Sequence, residues 1–366
     1  MSNLRFAMFG AGFWARFQLA AWQELEGVEC VAIYNRTRSR GEQFAREFRV
    51  PAFYDDPEEL LRREKPDFVD IVTYPFTLSH FVKMVARHKI PVISQKPMAP
   101  SVAIAEENLA VCRAAGVPYF IHENWRWQTQ LRELKRVLDS GIIGIPFRAR
   151  ISMVSTFPVY LNEPQLRNLE EFILTDMGTH ILDIARFFFG EAQSVYCQVH
   201  RVHADVKGED VATVMMMMGG RTTVTCELGY PENYMEHEYF PETLVFVEGD
   251  KGTAEVARDY WLRATTQSGT HARRYPPVWY PWVDPSYHVV HSSIVPCNAN
   301  LLQALRGEAE AETTAEDNVK TLKLVFAAYN STRNGNAVCL EGTESKTSPL
   351  PETSPASQML RPASTS

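Results

Sequence analysis

No stretch of this chain approaches the roughly eighteen consecutive apolar residues that a helix needs to cross a bilayer. Basic runs are missing as well, and the formal net charge is −7 with a pI near 5.9. Nucleic acid and anionic membranes therefore find no electrostatic footprint here. The six cysteines (Cys30, Cys112, Cys197, Cys226, Cys297 and Cys339) form no C-x-x-C pair. They read as reduced, mostly buried thiols of a cytoplasmic protein. None of the ten histidines falls into H-E-x-x-H or comparable ligand spacing, so no metal site is expected. The first strand begins at Arg5, which leaves no room ahead of it for a signal peptide.

What is present is the material of two domains, since 366 residues exceed one ordinary core. Up to residue 122, strands and helices alternate. Strands are expected at Arg5–Phe9, Glu29–Tyr34, Phe68–Val72, Pro91–Ser94 and Val117–Ile121. Helices are expected at Trp14–Glu26, Ser39–Phe48, Pro57–Glu64, Leu78–His88 and Val102–Ala115. Continuous apolar strands such as V-D-I-V suit a parallel sheet covered on both faces, with ligands along the C-terminal strand ends. This gives an α/β class, with residues 1–122 as a dinucleotide-binding domain.

From 123 to 342 the pattern becomes α+β, with a large, mostly antiparallel open sheet and helices on one face. Its strands read as Ile145–Ser155, Ser194–His200, Asp210–Met218, Arg221–Leu228, Glu242–Glu248 and Thr253–Val256. Hairpin turns are marked by Gly219-Gly220 and by Gly249 to Gly252. The helices read as Gln128–Ser140, Leu174–Phe189, Ala299–Gly307 and Glu316–Asn334. Four prolines between Tyr275 and Pro285 exclude regular structure there. Residues 343–366 are largely Ser, Thr and Pro, and a disordered tail is expected.

The chemistry starts at Gly10-Ala11-Gly12-Phe13-Trp14-Ala15, where a strand hands over to a helix. Gly10 permits the tight turn, Gly12 admits a pyrophosphate, and the helix N-terminus offers free N–H groups to it. Alone, such a glycine pair is more often only a turn. An acidic residue at the end of the second strand would hold the ribose 2′-OH of NAD. Asn35 stands there instead, followed by Arg36 and Arg38, which favours the 2′-phosphate of NADP over NAD. The alternative is that both arginines are solvated loop residues.

Thr73-Tyr74-Pro75, with His80 beyond, and Gln95-Lys96-Pro97 arrive at the same edge. Lys96 follows a buried strand directly, although a lysine snorkelling at a strand end would look the same. Asp176 and His180 are four apart and share a helix face, as an acid/base pair would, with one group orienting the other. A capping aspartate and a core histidine is the competing interpretation.

Four motifs match in order and spacing those of the Gfo/Idh/MocA oxidoreductases: G-A-G-F-W-A, T-Y-P-x-x-x-x-H, Q-K-P and D-M-G-T-H-x-x-D. The chain is identified as resembling that family from Asn3 to about Glu341, and within it D-apiose dehydrogenase-like sugar dehydrogenases, through S-Q-K-P-M-A-P and H-E-N-W-R-W. The resemblance implies a Rossmann domain, a second domain whose open sheet forms homo-oligomers (dimers or tetramers), and hydride transfer between NAD(P) and a sugar or polyol carbinol. It places Lys96, Asp176 and His180 as the catalytic set, with His180 removing the hydroxyl proton. The family's usual E-K-P is Q-K-P here, and Asn35 stands where an aspartate is usual. The nicotinamide is expected near Lys96, disfavouring its charged form. Asn124, Arg126 and Trp127 are candidate sugar contacts or interdomain packing, and Trp279 and Trp282 either stack on a sugar or fill an oligomer interface. Two other readings remain at this point: a glycoside-cleaving relative with a closed redox cycle, and a non-catalytic NAD(P)-binding regulator.

Overall fold

The computed structural model describes residues 3–157, 159–231, 236 and 238–340; the expected tail at 343–366 lies outside them. Its first half alternates β1 (Leu4–Phe9), α1 (Phe13–Gln23), β2 (Val28–Tyr34), α2 (Arg38–Glu47), β3 (Ala52–Tyr54), α3 (Pro57–Glu64), β4 (Phe68–Ile71), α4 (Pro75–Arg87), β5 (Val92–Gln95), α5 (Val102–Ala115) and β6 (Tyr119–His122). All six strands are parallel in the order β3-β2-β1-β4-β5-β6. The strand order reverses between β1 and β4, so a crevice opens at the C-terminal ends of those two strands. β4 and β5 are wholly buried, which is why their sequences run apolar instead of alternating. β3, with only three half-buried residues, was too short to leave a pattern.

The second half contains α6 (Thr129–Asp139), β7 (Pro146–Val154), α7 (Val159–Asn162), α8 (Ile173–Asp176), α9 (Gly178–Phe189), β8 (Ala192–His200), β9 (Val211–Met218), β10 (Thr222–Gly229), β11 (Leu244–Gly249), β12 (Gly252–Ala257), β13 (Trp261–Thr266), β14 (Gly269–Arg274), α10 (His288–Leu305), α11 (Ala315–Asn334) and β15 (Val338–Cys339). The nine strands run β14-β13-β12-β11-β7-β10-β9-β8-β15, antiparallel except for β7 beside β10. The β9–β10 hairpin closes through Gly219 and Gly220, both at positive φ, as the sequence suggested.

Three differences have physical causes. β14 is exposed throughout and so carries no hydrophobic alternation. The helix expected from Ala299 starts at His288, its N-terminal half disguised by β-branched residues and by Pro296 inside it. The helix expected over Leu174–Phe189 breaks at Met177 into α8 and α9.

The last two helices return to the first domain. Cys297, Leu301 and Leu302 of α10 share a core with β1, and Ala315, Val319 and Leu322 of α11 share one with α4 and α5. The two domains are thereby fastened together. Among the described residues no helix is long and apolar enough to cross a membrane.

Candidate active site

Gly10 has φ +113°, and a Cβ there would lie 2.1 Å from the Val72 carbonyl oxygen, so only glycine fits this turn. A Cβ built on Gly12 meets nothing within 4 Å, which leaves open space over the N-terminus of α1. That helix has no side-chain cap, so its first N–H groups remain available to an anion. Thr73 Oγ1 at the end of β4 is buried without a hydrogen-bond partner. An open cradle, free helix N–H groups and an orphaned hydroxyl on one edge fit a dinucleotide. Ala11 is buried beside them, and Phe13 meets Phe17 and Tyr287 edge-on. Trp14 is different: its indole packs against His291 of α10, so only its backbone remains for a cofactor. His80 is exposed on α4, Pro75 opens that helix, and Pro97 follows Lys96 through a cis bond.

At the end of β2, Asn35 donates from Nδ2 to the Thr37 carbonyl and Arg36 is exposed. Arg38 does not stand free as expected. Its guanidinium donates to Asp55 at 2.7 and 3.1 Å and to Glu42 at 3.3 Å, so its charge is already matched.

The chemical centre gathers residues from four strand and helix ends. Lys96 follows β5, Glu123 follows β6, Asp176 closes α8 and His180 lies in the first turn of α9. Lys96 Nζ donates to Asp176 Oδ1 at 2.9 Å and to the Asp176 carbonyl at 3.0 Å. Thr179 Oγ1 donates to the same carbonyl, which accounts for the interruption between α8 and α9. Asp176 is therefore the partner of Lys96, not the orienting carboxylate of His180 that the four-residue spacing suggested.

Glu123 fills that second role, and sequence reasoning missed it although H-E-N-W-R-W was in view. His180 Nδ1 shares a 2.5 Å hydrogen bond with Glu123 Oε1, and the imidazole stacks on Trp125 at 4.6 Å. Burial and the Lys96 charge push the His180 pKa well down, so its imidazole is neutral. Burial pushes the Glu123 pKa up. At Lys96, burial pulls the pKa down, but Asp176, Glu123 and Glu163 outweigh burial and raise it, holding the ammonium charged. Glu163, also missed, is raised to about 7 by burial and by Asp176. Tyr230, buried in the same neighbourhood, begins a run of rings through Phe240 and Tyr287 to Phe13.

Most of the other candidates have partners within the protein. Gln95 is buried, and its Nε2 donates to Gln18 Oε1 at 2.5 Å and to His122 Nδ1 at 3.2 Å. Asn124 Nδ2 donates to the Val290 carbonyl and to Ser293 Oγ of α10. Arg126 forms a two-pronged pair with buried Asp183 at 2.6 and 2.8 Å and a third contact with Asp317. Trp127 lies under the Arg132 guanidinium at 4.3 Å. Trp282 donates to Glu24 and pins the proline-rich loop to α1, whereas Trp279 is exposed beside His288. Among the described residues no cluster of His, Cys, Asp and Glu could hold a metal ion.

An open parallel sheet with a glycine turn under its switch point, and a Lys–Asp pair beside a His, define a nucleotide-dependent oxidoreductase. Residues 4–123 match the model of an oxidoreductase family with an NAD-binding Rossmann fold, and residues 131–255 match the GFO/IDH/MocA C-terminal domain. The chain belongs to the GFO/IDH/MocA oxidoreductase family. It is 36% identical over 348 residues to a D-apiose dehydrogenase of Paraburkholderia graminis, covering 95% of this chain and 92% of that protein. A second D-apiose dehydrogenase, from Rhizobium rhizogenes, is also 36% identical, over 92% of this chain and 98% of that protein. Among solved structures, an oxidoreductase from Agrobacterium radiobacter in complex with NAD+, L-tartaric acid and magnesium superposes with a TM-score of 0.90. It is 36% identical, over 92% of this chain and 98% of that one.

Proposed function

We propose that this protein is a sugar dehydrogenase that oxidises a carbinol of D-apiose or a related aldose or polyol with a nicotinamide dinucleotide. The observation that carries the reading is the gathering of Lys96, Asp176 and His180 at the C-terminal edge of the parallel sheet that also carries the Gly10–Gly12 turn. The likeness to two D-apiose dehydrogenases supports the substrate class.

The dinucleotide, when bound, supplies the hydride acceptor. Gly10 to Phe13 and Thr73 would hold it. His180 acts as general base through Nε2, the ring nitrogen left without a hydrogen-bond partner among the described residues. Lys96 donates to the substrate oxygen and stabilises its developing negative charge. Asp176 fixes the ammonium, and Glu163 offers a further acceptor for sugar hydroxyls.

For the cofactor we propose NADP, supported by the uncharged Asn35 and the exposed Arg36 guanidinium. NAD is the second reading. It is supported by the pairing of Arg38 with Asp55 and Glu42 and by the NAD+ held in the Agrobacterium radiobacter structure.

We also propose a homo-oligomer through the outer face of the nine-stranded sheet. Cross-strand pairing aligns Tyr196, Met215, Thr225, Arg150 and Phe246 in one row of that face.

A panel of aldoses, cyclitols and glycosides with NADP and NAD, followed by reduced-nicotinamide absorbance, tests the activity. Turnover with a free sugar is the expected result. Glycoside cleavage without net reduction overturns it in favour of a closed redox cycle, and binding without turnover in favour of a regulator.

A further inference from the structure

The His180–Glu123 contact has more built into it than an orienting hydrogen bond requires. Glu123 is fully buried and His180 is 4% exposed, so neither exchanges protons freely with bulk water. The imidazole is clamped between its Trp125 stack and the carboxylate, which fixes Nδ1 on Glu123. Glu123 Oε1 also accepts from the Trp125 N–H at 3.3 Å, while Oε2 is buried with no partner. A buried carboxylate with one oxygen unsatisfied is costly, and a proton on that carboxyl group removes the charge.

We propose that Glu123 is a proton relay behind His180, receiving the Nδ1 proton as Nε2 takes the proton of the sugar hydroxyl. This rests on the dehydrogenase reading above.

The bonds balance. The substrate O–H breaks and Nε2–H forms, while Nδ1–H breaks and a carboxyl O–H forms on Glu123. The C–H electron pair leaves as hydride to the nicotinamide dinucleotide, the oxidant of the proposed reaction, and a carbonyl remains. With Glu123 ionised, above its raised pKa of about 8, the dyad begins as carboxylate with Nδ1–H imidazole and ends as carboxylic acid with Nε2–H imidazole. No imidazolium accumulates.

The charged surroundings favour that outcome. Lys96 lies close enough to disfavour a second positive charge on His180, and burial disfavours it further, whereas Asp176 and Asp183 oppose that trend only in part. His122, the neighbouring histidine, is itself held neutral by burial, its pKa lowered to about 4. On Glu123, burial favours the neutral acid against the opposing charges of Lys96 and Arg126. In the reverse direction the same two states present an Nε2–H donor to a carbonyl oxygen. The same two coupled proton transfers, run forwards or backwards, thus serve oxidation and reduction alike. Glu123 acts through His180, so it is a positioning and relay residue.

The test compares wild type with Glu123→Gln and Glu123→Asp on the sugar identified by the panel. A glutamine can hydrogen-bond Nδ1 but cannot take its proton. Glu123→Gln is expected to lower kcat about 100-fold, the lower end of general acid–base effects, with KM little changed. In single turnovers across H2O–D2O mixtures, wild type and Glu123→Asp are expected to give a curved, two-proton dependence and Glu123→Gln a linear one. In the free wild-type enzyme at pH 9, where Glu123 is ionised, nitrogen-15 histidine NMR is expected to show a far-downfield His180 Nδ1 proton and no imidazolium. A linear dependence in wild type, a protonated imidazolium at that pH, or wild-type kcat in Glu123→Gln would overturn the relay. Wild-type data and NMR stand even if a variant fails to fold. A wild type inactive on the whole panel sinks the dehydrogenase reading instead, with the NMR result still reporting on the dyad.

Discussion

Asn35 and Arg36 stand at the point where the two nicotinamide cofactors differ, the ribose 2′ position. An aspartate there would repel a phosphate, and an arginine would pair with it through two parallel N–H···O bonds. The sequence offered two arginines, but only the structure could show that Arg38 already faces Asp55 and Glu42. Those acids are 17 and 4 residues away in sequence, and no local pattern connects all three. The proposed preference for NADP therefore rests on Arg36. Arg36→Ala is expected to raise the KM for NADP about tenfold, equivalent to about 1.4 kcal/mol, and to leave NAD nearly unchanged. Steady-state kinetics with both nucleotides checks this, and equal losses would remove the 2′-phosphate contact.

At the scale of elements, the site depends on how α8 and α9 are held against the turn after β6. Motif spacing identified Lys96, Asp176 and His180 as a group, but it paired them wrongly. Spacing along one helix assumes a continuous helix, whereas here a lysine and a threonine occupy the Asp176 carbonyl and the helix breaks. Glu123 escaped notice for a related reason: a glutamate after a strand reads as a solvated loop residue until the fold buries it.

Arg126 is the fastening between these parts. It joins the turn after β6 to Asp183 of α9 and Asp317 of α11, and Arg186 extends the network to Glu191. Removing the guanidinium takes the two-pronged partner from a fully buried Asp183 carboxylate and leaves it Thr321 Oγ1 and the more distant Arg186. Arg126→Met is expected to destabilise the fold by about 3–5 kcal/mol, and adding Asp183→Leu to recover most of that. Urea unfolding of both variants measures the difference; a single variant as stable as wild type would mean Asp183 finds another partner.

At the scale of the whole molecule, the two-domain layout was readable because each sheet type writes a distinct hydrophobic pattern. Buried parallel strands run apolar, and half-exposed antiparallel strands alternate. The return of α10 and α11 to the first domain was not readable, since a buried helix carries no label of which core it enters. The large sheet also leaves apolar side chains on its outer face, among them Met215 at 49% and Phe246 at 37% exposure. Exposed apolar side chains on an open sheet face suit the association surface proposed above. Phe246→Glu is expected to shift the proposed oligomer toward monomer, as read by light scattering on a sizing column. An unchanged mass would place the interface elsewhere.

The central claim is that His180 removes a sugar hydroxyl proton beside the Lys96–Asp176 pair. The most direct measurement is the single-turnover rate of nucleotide reduction with D-apiose, for wild type and His180→Asn, after both are shown to bind the dinucleotide. Loss of about 10²–10⁴-fold in rate with binding intact is the predicted result. Reduction by His180→Asn at the wild-type rate would contradict it.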